Sequence, residues 1–333
     1  MERCRFGNTD LIVSSIGLGC YGMSGAYGPA DDAESIATIR RAFDLGVNLL
    51  DTSASYGNGH NHRLIGKAIR GRRHEVVIHS KSGSPRDGGP DATRGGGDPR
   101  YLRQTCEQSL KNLAIETLDV FCMSRVDPNV PIEESVGGMA ELVKEGKTRF
   151  ISLSECSAQS LRRGSAAHPL VSLQMEYSLF SRDAEEQSQI DACKELGLTM
   201  MAYAVLGRGM LSAQPPTLEE LTTGDIRAQL PRFQDANAEK NLRLRQALEA
   251  IAHRKDATLA QLAIAWPMAQ GSRMGTFILP IPGAKSRKHL EANLRAAEIV
   301  LSADDLEEVD RIVPLGAASG TRYPVGQMHR VNL

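Results

Sequence analysis

Eight short apolar or β-branched runs recur along the chain, each followed by a longer segment, and this alternation constrains the fold more than any other feature. The runs are SIGLGC (15–20), NLLDTS (48–53), VVIHSK (76–81), TLDVFCM (117–123), RFISLSE (149–155), SLQMEYS (172–178), LTMMAYAV (198–205) and TFILPIP (276–282). Between them, DDAESIATIRRAFDLG (31–46), YLRQTCEQSLKNL (101–113), PIEESVGGMAELVKEG (131–146) and LAQLAIAWPMAQ (259–270) place apolar residues at three- and four-residue intervals, the spacing of an amphipathic helix. Strands alternating with helices imply parallel βαβ units with right-handed crossovers. Eight such units predict an α/β fold, a closed (β/α)8 TIM barrel, more than an open sheet. The 333 residues could make two average domains, or one barrel of ~250 residues enlarged by loops. No low-complexity linker divides the chain. Residues 1–333 are therefore expected to form a single domain, with an N-terminal hairpin over 1–14 and a C-terminal tail over 313–333. Gly46 and Gly146 fall where helix C-terminal caps belong, and Pro131 with Glu133 and Glu134 suits a first turn.

Charge narrows the partner. With 39 basic and 40 acidic residues the formal net charge is -1, so no strongly basic field exists to hold nucleic acid or an anionic membrane, and a small-molecule partner is expected. The opening MERCRFGNTDLIV lacks the apolar run of a signal peptide, and no 18-residue apolar segment occurs. A cytoplasmic location is expected; oligomeric state is left open. The six cysteines show no CxxC pair, which reads as reduced thiols without a structural zinc.

Four polar residues share one rim in such a barrel. Asp51 ends the second strand, Tyr56 follows in the glycine-flanked DTSASYGNG, Lys81 ends the third strand and Ser124 the fourth. Strand C-termini gather on one face, so residues remote in sequence meet around one reacting atom. Tyrosine beside lysine points to proton donation by a phenol: an adjacent ammonium favours the phenolate and lowers a pKa of about 10 toward working range, while Asp51 neutralises Lys81. Taken singly, a strand-end Asp is often a cap, a Lys a solvated charge and a loop Tyr packing; the functional reading rests on the set. His79 lies two residues before Lys81 and points to the same inward face, about 7 Å deeper, either as a hydrogen-bonded core histidine or as part of a polar network with Lys81. Cys122 points inward likewise. The HNH run at 60–62 has metal-like composition, but no metal is expected there.

Longer motifs carry a resemblance. DTSASYGNGHNHRLIGKAI, VVIHSK, SLKNLAIETLDVF, SRVDP, FISLSE, LQMEYSLFSRD, MAYAVLGRGML and PIPGAKSRKHLEAN run in order from about residue 5 to the C-terminus and resemble the aldo-keto reductase superfamily, in the bacterial and plant branch that is also similar to potassium-channel β subunits. The resemblance implies a (β/α)8 barrel binding NADPH across its mouth without a glycine-rich dinucleotide loop, and this chain has no GxGxxG. It implies Tyr56 as general acid with Lys81 and Asp51 as partners. Ser154 and Gln174 correspond to contacts to the nicotinamide carboxamide, with Glu155 where many relatives have asparagine. Tyr203 corresponds to the aromatic that stacks on nicotinamide, and Ala204, Leu206, Gly207, Arg208 and Gly209 lie along the pyrophosphate segment. Gly283, Lys285 and Arg287 correspond to the 2′-phosphate side, and Glu291 and Asn293 to the adenine side.

The chain departs from that pattern at its fourth strand. Ser124 stands where the family usually has a histidine that donates to the substrate carbonyl, and loss of one such donor typically costs about 2.7–4 kcal/mol of transition-state stabilisation. Ala204 and Val205 replace a common serine and proline. The resemblance therefore implies NADPH-dependent reduction of an aldehyde or ketone. Two alternatives stay open: reduction of a conjugated C=C, an imine or a specialised metabolite, and a low-turnover NADP(H)-binding regulatory subunit. Substrate specificity is expected in the loop 83–100, the segment after Asp127, the loop after Gly209 and the tail 320–333.

Overall fold

The computed structural model describes residues 1–83, 95–221 and 224–333. Its strands are β1 (Arg3–Arg5), β2 (Ile12–Ser14), β3 (Leu18–Gly19), β4 (Leu49–Ser53), β5 (Val77–Lys81), β6 (Leu118–Met123), β7 (Thr148–Ser154), β8 (Ser172–Glu176), β9 (Thr199–Tyr203) and β10 (Ile278–Pro280). Strands β3 to β10 coincide with the eight runs read from the sequence, β7 starting one residue before its run, and pair in parallel, each with its sequence neighbour. The first and last also meet. Gly17 N–H donates to the Pro280 carbonyl at 3.0 Å and Gly19 N–H to that of Pro282 at 3.1 Å, and Gly19 bridges Gly283 in parallel. A Cβ on Gly19 would stand 2.7 Å from the Ile281 carbonyl oxygen, so this seam closes only with glycine there.

The helices are α1 (Asp32–Asp44), α2 (His60–Ala68), α3 (Pro99–Leu113), α4 (Ile132–Lys144), α5 (Ala158–Ala167), α6 (Asp183–Glu186), α7 (Gln189–Leu196), α8 (Asp235–Arg254), α9 (Leu259–Met274), α10 (Arg287–Leu294) and α11 (Ala303–Ile312). Local chemistry sets their ends. Asp31 caps α1 by accepting from Glu34 N–H, Gly46 and Gly146 take the left-handed conformation just beyond α1 and α4 (φ 87° and 72°), and Glu133 and Glu134 fill the first turn of α4. Helix α9 outruns its predicted end and stops at the left-handed Gly275. Of the irregular stretches, 84–94 lies outside the described residues, and 207–234 carries four short 3-10 turns among those described.

Two cores are separated by the sheet. Leu50, Ile78, Phe121 and Ile151 face the helices in the outer one. Inside the barrel, Leu49, Val77, Val120, Val171, Met201, Leu279 and Ile281 pack with Phe6, Leu11 and Val13 of the N-terminal hairpin, whose strands β1 and β2 pair antiparallel and plug that end. Two residues further along β4, β5 and β6 the inward side chains become polar: Asp51 after Leu49, His79 after Val77, Cys122 after Val120. The strand period of two thus places an apolar floor beneath a polar layer at the C-terminal mouth. No helix among the described residues is long and apolar enough to cross a membrane.

Candidate active site

Asp51 is the centre of the polar layer. The Lys81 ammonium donates to both of its oxygens, at 2.6 and 2.7 Å; Gln174 Nε2 donates to Oδ1 at 2.7 Å, and His79 Nδ1 lies 3.0 Å from the same oxygen. Asp51, His79 and Lys81 are all buried. Burial works against an ionised Asp51, but Lys81 and His79 outweigh it and hold the carboxyl below its ordinary range. On the far side of the imidazole, His79 Nε2 meets Ser152 Oγ at 3.0 Å; burial pushes His79 below its usual value against the pull of Asp51, so the ring is neutral. A neutral ring with Nδ1–H toward the carboxylate accepts from the Ser152 hydroxyl, and both nitrogens are satisfied. The two sequence alternatives for His79 merge: it is a core histidine, and its partner Asp51 is the one that binds Lys81.

Tyr56 is held over this pair. Gly57, Asn58 and Gly59 adopt positive φ in succession (54°, 55° and 79°), a reversal that starts α2 directly after the tyrosine. A Cβ at Gly59 would stand 2.6 Å from Asn112 Nδ2, which explains the glycine. Lys81 Nζ lies 5.1 Å from the centroid of the Tyr56 ring, and the Tyr21 ring packs beside it with centroids 4.5 Å apart. Burial first, then the Asp51 carboxylate, pushes the Tyr56 phenol well above its ordinary value, while Arg125 pulls it down. That direction is opposite to the one expected from a Tyr–Lys pair alone. The physical reason is that burial dominates, and that Lys81 has its charge taken up by Asp51 through two short contacts.

The remaining expected residues divide by what they touch. Ser124 is buried on the same rim, where its Oγ accepts from Gly83 N–H at 2.8 Å, so the hydroxyl pins the end of the β5 segment. Ser154 Oγ is buried with no hydrogen-bond partner. Glu155, at left-handed φ 53°, is fully buried and accepts from Glu176 N–H, from the Tyr203 hydroxyl and from Arg322 Nη1. Ala204, Gly207, Arg208 and Gly209 all have positive φ, curling the segment after β9 into a tight turn through Leu206. Arg208 points to Glu176, at 2.8 Å. Lys285 Nζ donates to the carbonyls of Tyr27 and Pro29 at 2.9 and 3.0 Å. Arg287 at the start of α10 donates its N–H and guanidinium to Glu34, Glu291 pairs with Arg41 at 2.7 Å, and Asn293 Nδ2 reaches the Gly283 carbonyl at 3.5 Å. An anion arriving at the N-terminus of α10 therefore meets Glu34 as a competitor. The HNH run is structural: Asn61 links Thr52, Cys20 and Ser24, and His62 Nε2 meets Ser80 at 2.9 Å.

The tail completes the mouth. The Tyr323 hydroxyl lies 3.0 Å from the Tyr203 hydroxyl and accepts from Arg125 and Arg208 at 3.1 and 3.2 Å. Arg322 pairs with Glu155 where both are nearly inaccessible. Glu176, buried beside Arg208, Arg322 and Arg232, is held down at about 2 although burial alone would raise it. The sequence marked the tail as a specificity segment but not Arg125 or Glu176 as members of the site; the one available signal was the position of Arg125 directly after Ser124.

The protein is an eight-stranded parallel barrel with Asp51, Tyr56 and Lys81 at its carboxyl mouth, and comparisons with known proteins identify its family. The Aldo/keto reductase family model matches residues 15–314, and the chain belongs to that family. It is 39% identical over 331 residues to the probable aldo-keto reductase 1 of Glycine max, covering 99% of this chain and 94% of that one. Among solved structures, the aldo/keto reductase of Klebsiella pneumoniae in complex with NADP and acetate superposes with a TM-score of 0.73 at 27% identity, over 97% of this chain and 98% of that one. The glycerol dehydrogenase of Gluconobacter oxydans shares the fold with a TM-score of 0.80 at 24% identity, over 97% of each chain.

Proposed function

We propose that this member of the family reduces the carbonyl of an aldehyde or ketone with NADPH, using Tyr56 as the general acid. The observation that carries the reading is the Lys81 ammonium, bound by both Asp51 oxygens and lying 5.1 Å from the Tyr56 ring. Family membership and the NADP in the Klebsiella relative support the cofactor. The residues fit it: Ser154 Oγ is a buried hydroxyl lacking a partner, suited to a carboxamide, and the left-handed turn over 207–209 presents backbone suited to phosphates. Ser154 and Gln174 would hold the carboxamide, Tyr203 the ring, Leu206 to Gly209 the pyrophosphate, Lys285 and Arg287 the 2′-phosphate, and Glu291 with Asn293 the adenine. NADPH, when bound, supplies the hydride that the carbonyl carbon gains.

The chain's own part is the proton. A phenol held above its ordinary value stays protonated at neutral pH, so it is an acid only toward a strongly basic partner. The alkoxide developing on the substrate oxygen is such a partner, and the O–H proton passes to it as the C–H bond forms. Lys81, fixed by Asp51, then stabilises the phenolate left behind, and solvent at the mouth reprotonates it. Consumption of NADPH over a panel of carbonyls tests the reading: Tyr56→Phe is expected to lower kcat on the order of 10²–10⁴-fold with NADPH binding retained. Undiminished turnover refutes the acid.

Ser124 supports a second reading. Because its hydroxyl is engaged with Gly83, a substrate bearing its own orienting group, such as a conjugated C=C or an imine, needs nothing from that position. Ser124→His is expected to raise reduction of simple aldehydes under the first reading and to leave the physiological conversion unimproved under the second. The intact Asp51, Lys81 and Tyr56 set weighs against a low-turnover regulatory subunit.

A further inference from the structure

A serine, a histidine and a carboxylate meet on the rim next to the Tyr56 turn, and carbonyl reduction calls on none of them. Ser24 Oγ lies 3.0 Å from His60 Nδ1, and His60 Nε2 lies 3.1 and 3.2 Å from the two Asp32 oxygens. Three elements converge to place them: Ser24 ends the 3-10 turn Tyr21–Ser24 after β3, Asp32 begins α1 and His60 begins α2. Gly57 leaves the room for the contact, since a Cβ there would stand 3.0 Å from the Cβ atoms of both Ser24 and His60. The surrounding hydrogen bonds decide where the protons are. Asn61 Nδ2 donates to the Cys20 carbonyl at 2.9 Å, while its Oδ1 accepts from the Thr52 hydroxyl at 2.7 Å. That fixes the amide, whose second N–H donates to Ser24 Oγ at 2.8 Å. A carboxylate only accepts, so Nε2 of the neutral His60 ring carries the proton and Nδ1 keeps the lone pair. The Ser24 hydroxyl, which already accepts from Asn61, therefore donates to Nδ1. His60 is thus set apart from Asn61 and His62 of the same run, which serve the core. Reagents reach the trio: Ser24 is half-buried, the His60 and Asp32 side chains are 36% and 52% exposed, and a Cβ on the adjacent Gly25 would meet nothing within 4 Å.

We infer that Ser24, His60 and Asp32 form a second, hydrolytic centre that takes small carboxylic esters with a good leaving group. Nucleophile, base and orienting carboxylate stand in the order acyl transfer needs, with Ser24 on Nδ1 and Asp32 on Nε2. Ser24 Oγ bonds the ester carbonyl carbon as its proton passes to His60 Nδ1. The bond from that carbon to the leaving oxygen breaks, and the leaving oxygen takes the proton. Water then attacks the acyl-serine and gives a proton to His60; the carboxylic acid departs, and Ser24 Oγ regains its proton from the imidazolium. Asp32 is a positioning residue, which holds the tautomer and stabilises the imidazolium while it lasts. This activity needs neither NADPH nor the proton of Tyr56, so it stands or falls apart from the reductase reading.

The test treats the full-length protein, without NADPH, with an alkyl fluorophosphonate, which forms a serine–phosphorus bond as fluoride leaves. Peptide mass spectrometry is expected to find the label on Ser24. The labelling rate is expected to fall by about 10²–10⁴-fold in His60→Gln, the loss of a general base. In Asp32→Asn it is expected to fall at least about tenfold, the size of one charge-assisted hydrogen bond, and Asp32→Glu is expected to recover part of that. Hydrolysis of 4-nitrophenyl acetate, read as release of 4-nitrophenolate, is expected to follow the same order and to drop to the buffer rate in Ser24→Ala. Circular dichroism compares the fold of each variant with wild type. Should His60→Gln not fold, the exposed Asp32 carries the decision through its Asn and Glu variants. A wild-type protein without label on Ser24 overturns the inference. So does a label on Ser24 that forms as fast in the folded His60 and Asp32 variants, since the serine would then be merely accessible, or ester hydrolysis that Ser24→Ala leaves unchanged.

Discussion

Replacing Asp51 with asparagine removes one charge from the middle of the polar layer and leaves the shape. The wild-type carboxylate receives Lys81 on both oxygens, at 2.6 and 2.7 Å, Gln174 at 2.7 Å and His79 at 3.0 Å. The side chains of Asp51 and Lys81 are only 5% and 7% exposed, so solvent cannot take over the compensation. Removing one partner of a buried pair typically costs about 3–5 kcal/mol because the other charge is stranded. The individual hydrogen bonds cannot be summed on top of that, since they share one acceptor. Denaturant unfolding should show a loss of about that size at pH 7. The pH dependence separates charge from shape. In the variant, folding disfavours the proton on Lys81 while the unfolded chain keeps it, so the unfolded state binds more protons and stability rises with pH. The deficit relative to wild type should therefore shrink between pH 7 and pH 10. A loss below about 1 kcal/mol, or one equal at both pH values, refutes charge compensation as the role of Asp51.

Two further outcomes follow from the mouth. Glu176 is held at about 2 by Arg208, Arg322 and Arg232 against its burial; a carboxyl lowered on folding stabilises above its unfolded value near 4.5 and loses that contribution as pH falls toward 2, on the order of 3 kcal/mol in total. Glu176→Gln should flatten the fall in stability across that acid window, and an unchanged slope contradicts the assignment. Ser124→Ala leaves the N–H of the buried Gly83 without its 2.8 Å acceptor, and unfolding should report a loss of about 1–3 kcal/mol; a neutral substitution means the hydroxyl does not anchor that segment.

Much of this was legible in the sequence, for reasons that also explain what was not. The eight strands follow from recurring apolar runs separated by helical stretches, and the period of two is enough to turn Asp51, His79, Lys81 and Cys122 to the inside. Chain order and strand ends put Asp51, Lys81 and Ser124 on one rim. The partners that decide their electrostatics come from far away. Tyr323 reaches Arg125 across 198 positions and Tyr203 across 120, and no local pattern encodes such a contact. The direction of the Tyr56 shift was misread for a related reason: a lysine nearby implies a lowered phenol only while the lysine's charge is free and the ring is wet, and here Asp51 holds the ammonium while burial dominates. The basic cluster at Lys285 and Arg287 was visible as composition, but Glu34, which occupies Arg287, lies 253 positions earlier.

The proposed reaction is hydride transfer to a carbonyl carbon with Tyr56 supplying the proton. Its most direct test is reduction of an aldehyde with NADPH deuterated at nicotinamide C4, with the product examined by mass spectrometry and NMR. One deuterium on the carbinol carbon is expected for wild type, with an alcohol yield equal to the NADPH consumed, and the same label at a rate lower by about 10²–10⁴-fold in Tyr56→Phe. NADPH consumption without label on that carbon, or a Tyr56→Phe variant as fast as wild type, contradicts it.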